Sequence, residues 1–266
     1  VAALALGSTA AVAQEKVFRY ATTGDILGLD PHMHNHGTTN AMKGNVYGTL
    51  LHRKPDLSLE LDLATAWTMV DDNTWEFTLR QGVTFHNGNP FTADDVVYSF
   101  KRQTQEGAEM AFALSTIADV VKVDDYTVRL ITKAPDPILL LNMPNFFIVD
   151  EEFMEANDAF AVQLGAGSTN FANLNANGTG PFKVVEWVQD NRLVMVKNTE
   201  WWGQDARTDN VDRAIFMPIA NNATRVAALI SGEIDMMYPV PLQDVDRLQN
   251  DPNIEVLQGP ELRTIF

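Results

Sequence analysis

The sequence predicts an α/β fold: a mixed sheet forming one subdomain, with a smaller α/β subdomain inserted into it. Three observations carry this expectation. A strand–helix–strand pattern runs through 214–238, two stretches at 75–79 and 126–130 alternate apolar with polar residues, and two strand-like runs at 182–188 and 192–197 flank a short turn. A βαβ unit makes a parallel pair, a hairpin makes an antiparallel one, and alternation marks strands with a single buried face.

The elements follow in order along the chain. Residues 17–22 read as a strand that Thr23, Gly24 and Asp25 end with turn chemistry. A polar loop from Asp30 to Gly37 shows no period, and the apolar pattern that resumes over 40–51 suits a short helix. Thr92 is placed to cap a helix, with Asp95 three residues on in the capping-box position and Asp94 and Asp95 beside the positive helix end. Val96, Val97 and Phe100 then form its inner face. A glycine- and asparagine-rich passage at 165–180 marks a crossing between subdomains. Beyond the hairpin, turned by Gln189, Asp190 and Asn191, come a strand at 214–219, a helix at 222–231 stopped by Gly232, and a strand at 234–238. Ligands in open α/β sheets gather beyond the carboxyl ends of the strands, which makes Tyr238 a cleft candidate. The expected subdomains are 14–45 with 175–266, and 46–174 between them.

Composition narrows the functional classes. With 45% hydrophobic and 20% charged residues the chain is globular, and a formal net charge of −16 spread along it repels nucleic acid and anionic lipid. Cysteine is absent from the sequence, which excludes disulfides, thiolate zinc sites and a cysteine nucleophile within these residues. Residues 1–13, alanine- and leucine-rich and ending Ala11-Val12-Ala13, read as the tail of an export signal cut after Ala13. The most apolar later stretch, 137–149, is interrupted by Pro144 and is not expected to cross a membrane.

The run Leu79-Arg80-Gln81-Gly82-Val83-Thr84-Phe85-His86-Asn87-Gly88-Asn89-Pro90-Phe91-Thr92-Ala93-Asp94-Asp95-Val96-Val97 resembles the signature of family 5 bacterial solute-binding proteins, the dipeptide-, oligopeptide- and nickel-binding proteins of ABC importers. Further blocks agree in order: Leu29-Asp30-Pro31-His32, Asn177-Gly178-Thr179-Gly180-Pro181-Phe182, Trp201-Trp202-Gly203, and Ala223-Thr224-Arg225 running to Gly232-Glu233-Ile234-Asp235. Gly82, Gly88 and Pro90 shape turns, so these blocks identify a scaffold more than a ligand site, and His86 reads as a turn residue.

The resemblance implies a periplasmic binding protein-like fold (type II, cluster C), with the second lobe absent from these residues because family members are about twice as long. It implies a monomeric, extracytoplasmic (periplasmic) carrier with no cofactor, no metal and no catalytic residue. Its partners would be a short peptide or other polar solute and the permease subunits of an ABC transporter. By the same resemblance, solute contacts fall on His34, Asn35, His36, Gly37 and Thr39, on Phe112, near Asn145 and Phe146, and on Tyr238. Two rival readings use His32, His34 and His36, whose alternation puts all three on one side of an extended segment. They are a nickel or metal-chelate carrier and, in another class, a secreted metal-dependent hydrolase with Asp25 or Asp30 as base. The sequence shows neither a nucleophile elbow nor zincin spacing in support of the hydrolase.

Overall fold

The computed structural model describes residues 15–162 and 170–259, so the export-signal expectation for 1–13 lies outside the described residues. Strand β1 (Val17–Thr22) leads through a loop into helix α1 (Gly37–Val46). A small hairpin of β2 (Leu51–Arg53) and β3 (Leu59–Leu61) precedes β4 (Ala64–Asp71), β5 (Thr74–Leu79), helix α2 (Ala93–Gln103), β6 (Ile117–Asp124) and β7 (Thr127–Thr132). Short helices α3 (Leu139–Asn142), α4 (Glu151–Ala156) and α5 (Phe171–Leu174) lead to β8 (Phe182–Val188), β9 (Arg192–Lys197), β10 (Arg213–Pro218), α6 (Asn222–Ser231), β11 (Met236–Met237) and α7 (Val245–Gln249).

Strand order in the larger sheet is β11-β1-β10-β9-β8. Strand β1 pairs in parallel with β10 and β11, while β9 pairs antiparallel with β10 and β8, which makes the sheet mixed as expected. The β10–α6–β11 unit is the predicted βαβ, but its two strands straddle β1 instead of touching. Gly232 closes α6 at φ 75°, the left-handed position that glycine adopts without a Cβ clash.

The second sheet is antiparallel in the order β4-β5-β7-β6, two hairpins joined through β5 and β7. Trp75, Phe77 and Leu79 of β5 and Val128 and Leu130 of β7 are buried, as their alternation requires. They share one core with Val96 and Phe100 of α2. Each such side chain is worth about 1.5–3 kcal/mol of burial. Helix α2 begins as predicted: Asp94 N donates to Thr92 Oγ1 (3.3 Å) and Thr92 N to Asp95 Oδ2 (2.8 Å).

The expected helix over 40–51 is displaced to 37–46. Tyr47 is extended, Gly48 lies where a Cβ would sit 2.4 Å from Thr179 Oγ1, Thr49 bridges to Phe147, and Leu51 enters β2. Residues 46–51 are all buried, by segments distant in sequence and not along one helix face.

Two of the family-like blocks, 79–97 and 177–182, meet at one junction. Residues 84–90 close a tight loop, with Phe85 N donating to Asn89 O (2.8 Å) and Gly88 at φ 96°. The loop docks on 177–180. His86 N donates to Gly178 O (2.8 Å), His86 Nε2 to Gly180 O (3.0 Å), and Asn87 N to Asn177 Oδ1 (3.1 Å). The buried Asp150 carboxylate collects the amides of Asn87, Asn89 and Asn177 and caps α4 through Phe153 N.

Candidate functional site

Because β1, β10 and β11 run in parallel, the loops following them, residues 23–36, 219–221 and 238–241, leave from the same, carboxyl end of these strands. The first of these, together with the start of α1, carries five of the nine residues assigned to solute contact. Its back is anchored by charge. Asp30 and Arg102 are both fully buried, with Arg102 Nη1 2.8 Å from Asp30 Oδ1 and Nη2 2.5 Å from Oδ2. Arg102 also donates from Nε to Ala159 O (3.0 Å) and from Nη1 to His32 Nδ1 (3.0 Å). With Nδ1 accepting, the proton of His32 sits on Nε2 and is donated to Phe147 O (2.9 Å). A bidentate guanidinium–carboxylate pair with each group also bonded elsewhere fixes both side chains and the loop between them.

The front of the loop is polar and open. Asn35, His36 and Gly37 are exposed and His34 is partly buried. His36 is the N-cap of α1 but its side chain makes no capping bond. The loop abuts a 3-10 turn, Glu109–Leu114: Glu109 N donates to Met33 O (3.2 Å), Met110 N to His32 O (3.3 Å), and Asn35 N to Glu109 Oε2 (2.7 Å). That turn exposes 48% of Phe112. Gln103 Nε2 ties it to the next candidate segment by donating to both Met110 O (3.0 Å) and Asn145 O (2.9 Å). Hydrogen bonds thus tie together the segments that carry His34 to Gly37, Phe112 and Asn145. Tyr238 stands at the end of β11, with its N–H on Ala21 O (3.0 Å) and its side chain 48% exposed.

Two assigned residues face inward instead. Phe146 is fully buried in the core between the second sheet and α2, so its ring has no face to offer a solute. Thr39 is also fully buried, and its Oγ1 accepts from Leu27 N (3.0 Å), which makes it a brace between loop and helix. The histidine trio separates as well: His32 spends both ring nitrogens inside the protein, while His34 and His36 lie at and near the surface. Asp30 is consumed by Arg102, and Asp25 accepts from Trp187 Nε1 (3.1 Å) and Asp190 N (2.8 Å). This geometry removes the basis for the histidine-trio metal site and for its hydrolase version. Asp95, Asp150 and Glu152 approach within 4.8 Å, but Asp95 and Asp150 serve as helix caps and already hold backbone and amide donors.

The anchors Arg102, Lys43, Glu109 and Asp150 escaped the sequence reading. Helical spacing carried a signal for two of them: Lys43 follows the buried Thr39 by four residues, and Arg102 follows the buried Asp95 by seven.

Burial, then the adjacent guanidinium, pushes His32 down to about 3, and burial pushes His86 down to about 4. Asp95 moves the other way, up to about 7, through burial and neighbouring acids. Below pH 6.5 the unfolded chain protonates both histidines and the native one does not, so their contribution is present above 6.5 and lost as pH falls. Asp95, protonated in the native state below about 7, offsets one of those two protons. For these three groups the net is roughly one proton, a fall of about 1 kcal/mol between pH 6.5 and 5 that the burial-raised carboxyls of Asp62 and Glu151 oppose. Urea midpoints measured across that range check the histidine part: the fall on acidification should be smaller in His86→Asn than in the wild type, and an equal fall in both contradicts the neutral assignment of His86.

Comparison with known proteins agrees with this architecture. The model for bacterial extracellular solute-binding proteins, family 5 (middle), matches residues 58–266. The chain is 29% identical to heme-binding protein A of Haemophilus influenzae over 94% of this chain and 48% of that protein. It is also 29% identical to the dipeptide-binding protein of Escherichia coli, over 96% and 50%. A solved structure, the ABC transporter-associated periplasmic binding protein DppA from Helicobacter pylori in complex with the peptide STSA, superimposes with a TM-score of 0.77 at 28% identity, covering 89% of this chain and 49% of that one. The chain spans about half the length of the curated relatives it matches. Sequence blocks, mixed sheet and similar structures converge: this chain belongs to family 5 of the bacterial extracellular solute-binding proteins.

Proposed function

We propose that the chain supplies one wall of a solute-binding cleft, that the solute is a short peptide, and that the whole protein delivers it outside the cytoplasm to the permease of an ABC importer. The observation that carries this reading is the segment 30–37, the end of the loop and the first residue of α1, rigidly backed by buried Asp30, Arg102 and His32 yet presenting open polar groups beyond the carboxyl end of a parallel strand. Preformed walls of this kind bind with little ordering cost. Relatives named for dipeptides and a similar structure holding a tetrapeptide support the solute class. Among the described residues no helix is long and apolar enough to cross a membrane. The task is binding, with closure of a second wall over the solute as the conformational step. The division into 14–45 with 175–266 and an inserted 46–174 belongs to this proposal.

Calorimetric titration of the full chain with dipeptides and tetrapeptides tests the solute class. Saturable one-to-one binding is expected, weakened about tenfold, or about 1.4 kcal/mol, by Tyr238→Ala. If no peptide binds while heme or a metal chelate does, the peptide assignment is lost and the family assignment stays.

A further inference from the structure

One peptide unit in the solute-facing loop is gripped at both ends by opposite charges. The ammonium of Lys43, on α1, donates to the carbonyl oxygen of His34, and the carboxylate of Glu109, on the 3-10 turn, accepts the N–H of Asn35 at 2.7 Å. The carbonyl and the N–H belong to the same His34–Asn35 peptide bond. Lys43 is fully buried, a placement lysine almost never takes without a partner. Among the described residues no salt bridge forms to it, and the ring of Phe147 lies 5.6 Å from its nitrogen. Glu109 also approaches His34 Nδ1 at 3.7 Å.

We propose that Lys43 and Glu109 are positioning residues that set the orientation of the His34–Asn35 peptide and, through it, the presentation of Asn35, His36 and Gly37 to the solute. The inference rests on the reading of this loop as a solute-binding wall. A peptide plane with a cation on its oxygen and an anion on its N–H cannot flip without breaking both bonds and leaving a buried ammonium unmet, which locks the segment before any solute arrives. Burial pulls Lys43 down to about 8, with Asp30 and Glu109 opposing that fall. His32, Asp30 and Glu109 are the other titrating groups whose fields reach it. The grip on the carbonyl therefore weakens as the amine loses its charge above pH 8.

Amide hydrogen exchange on the full chain, without added solute, reads the clamp directly. Lys43→Met and Glu109→Ala are each expected to speed exchange at Asn35 by at least about tenfold, with the β4–β7 sheet unchanged. Glu109→Gln, which keeps an oxygen for the N–H, is expected to return within about threefold of the wild type. After correction for intrinsic rates, protection at Asn35 in the wild type should step down above pH 8, a step absent from Lys43→Met. Unchanged exchange at Asn35 in both disruptive variants, or faster exchange throughout the chain without a local excess, overturns the proposal. Titration with the dipeptide Met-Leu separates the two readings. Loss of affinity in the variants alone supports the positioning role. Failure of the wild type to bind any peptide removes the peptide reading and leaves the exchange result to judge the clamp.

Discussion

Arg102→Met is expected to cost about 3–5 kcal/mol, the range for stranding one member of a buried ion pair. The guanidinium holds both oxygens of Asp30, the Nδ1 of His32 and the carbonyl of Ala159, all inside the protein. Removing it leaves a carboxylate with the N–H of His32 as its remaining bonded donor and an imidazole with an unmet acceptor. Methionine matches much of the arginine stem, so the loss reports charge and hydrogen bonding more than volume. Asp30→Asn in the same background tests the cause. With no stranded charge, the double variant should be less destabilised than the sum of the singles by at least about 2 kcal/mol. Urea unfolding of the four proteins closes the cycle. Additive costs would show that Arg102 acts through packing alone.

How much of this was legible beforehand depended on the range of the interactions involved. The capping box at Thr92 and Asp95, the hairpin of β8 and β9, and the stop of α6 at Gly232 arise from neighbours in sequence, and the sequence predicts them closely. The end of α1 was misplaced because residues 46–51 are shaped by Thr179, Leu63 and Phe147, which arrive from far along the chain. The candidate site shows the same division. Its exposed face, His34 to Gly37, follows from the family-like block and the strand end before it. Its supports follow from tertiary pairing: Asp30 meets Arg102 across seventy-two positions and Asn35 meets Glu109 across seventy-four. Phe146 and Thr39 were misjudged for a related reason, since only packing distinguishes an apolar or hydroxyl side chain lining a cleft from one bracing its floor.

The glycines of Asn177-Gly178-Thr179-Gly180 give the second large effect, because here the motif has a steric cause. A Cβ on Gly178 would sit 2.1 Å from the carbonyl oxygen of Val46, far inside contact distance. That carbonyl cannot retreat freely, since it accepts from Gly180 N at 2.9 Å. Gly178 cannot retreat either, because its own carbonyl takes the N–H of His86. Gly178→Ala must therefore break the docking of the 84–90 loop or the contact with the end of α1, at an expected cost of about 3 kcal/mol, the upper end for overpacking. Gly44→Ala is the matched control. It sits exposed within α1 with nothing within 4 Å of its added methyl, and the gain in helix propensity should stabilise the chain by about 0.5–1 kcal/mol. Opposite signs for one chemical change, read by thermal and urea unfolding, would place the demand for glycine at the crossing of 46 and 178. A tolerated Gly178→Ala would mean that the two chain segments can part. The docking of the 84–90 loop on 177–180 would then not depend on that glycine.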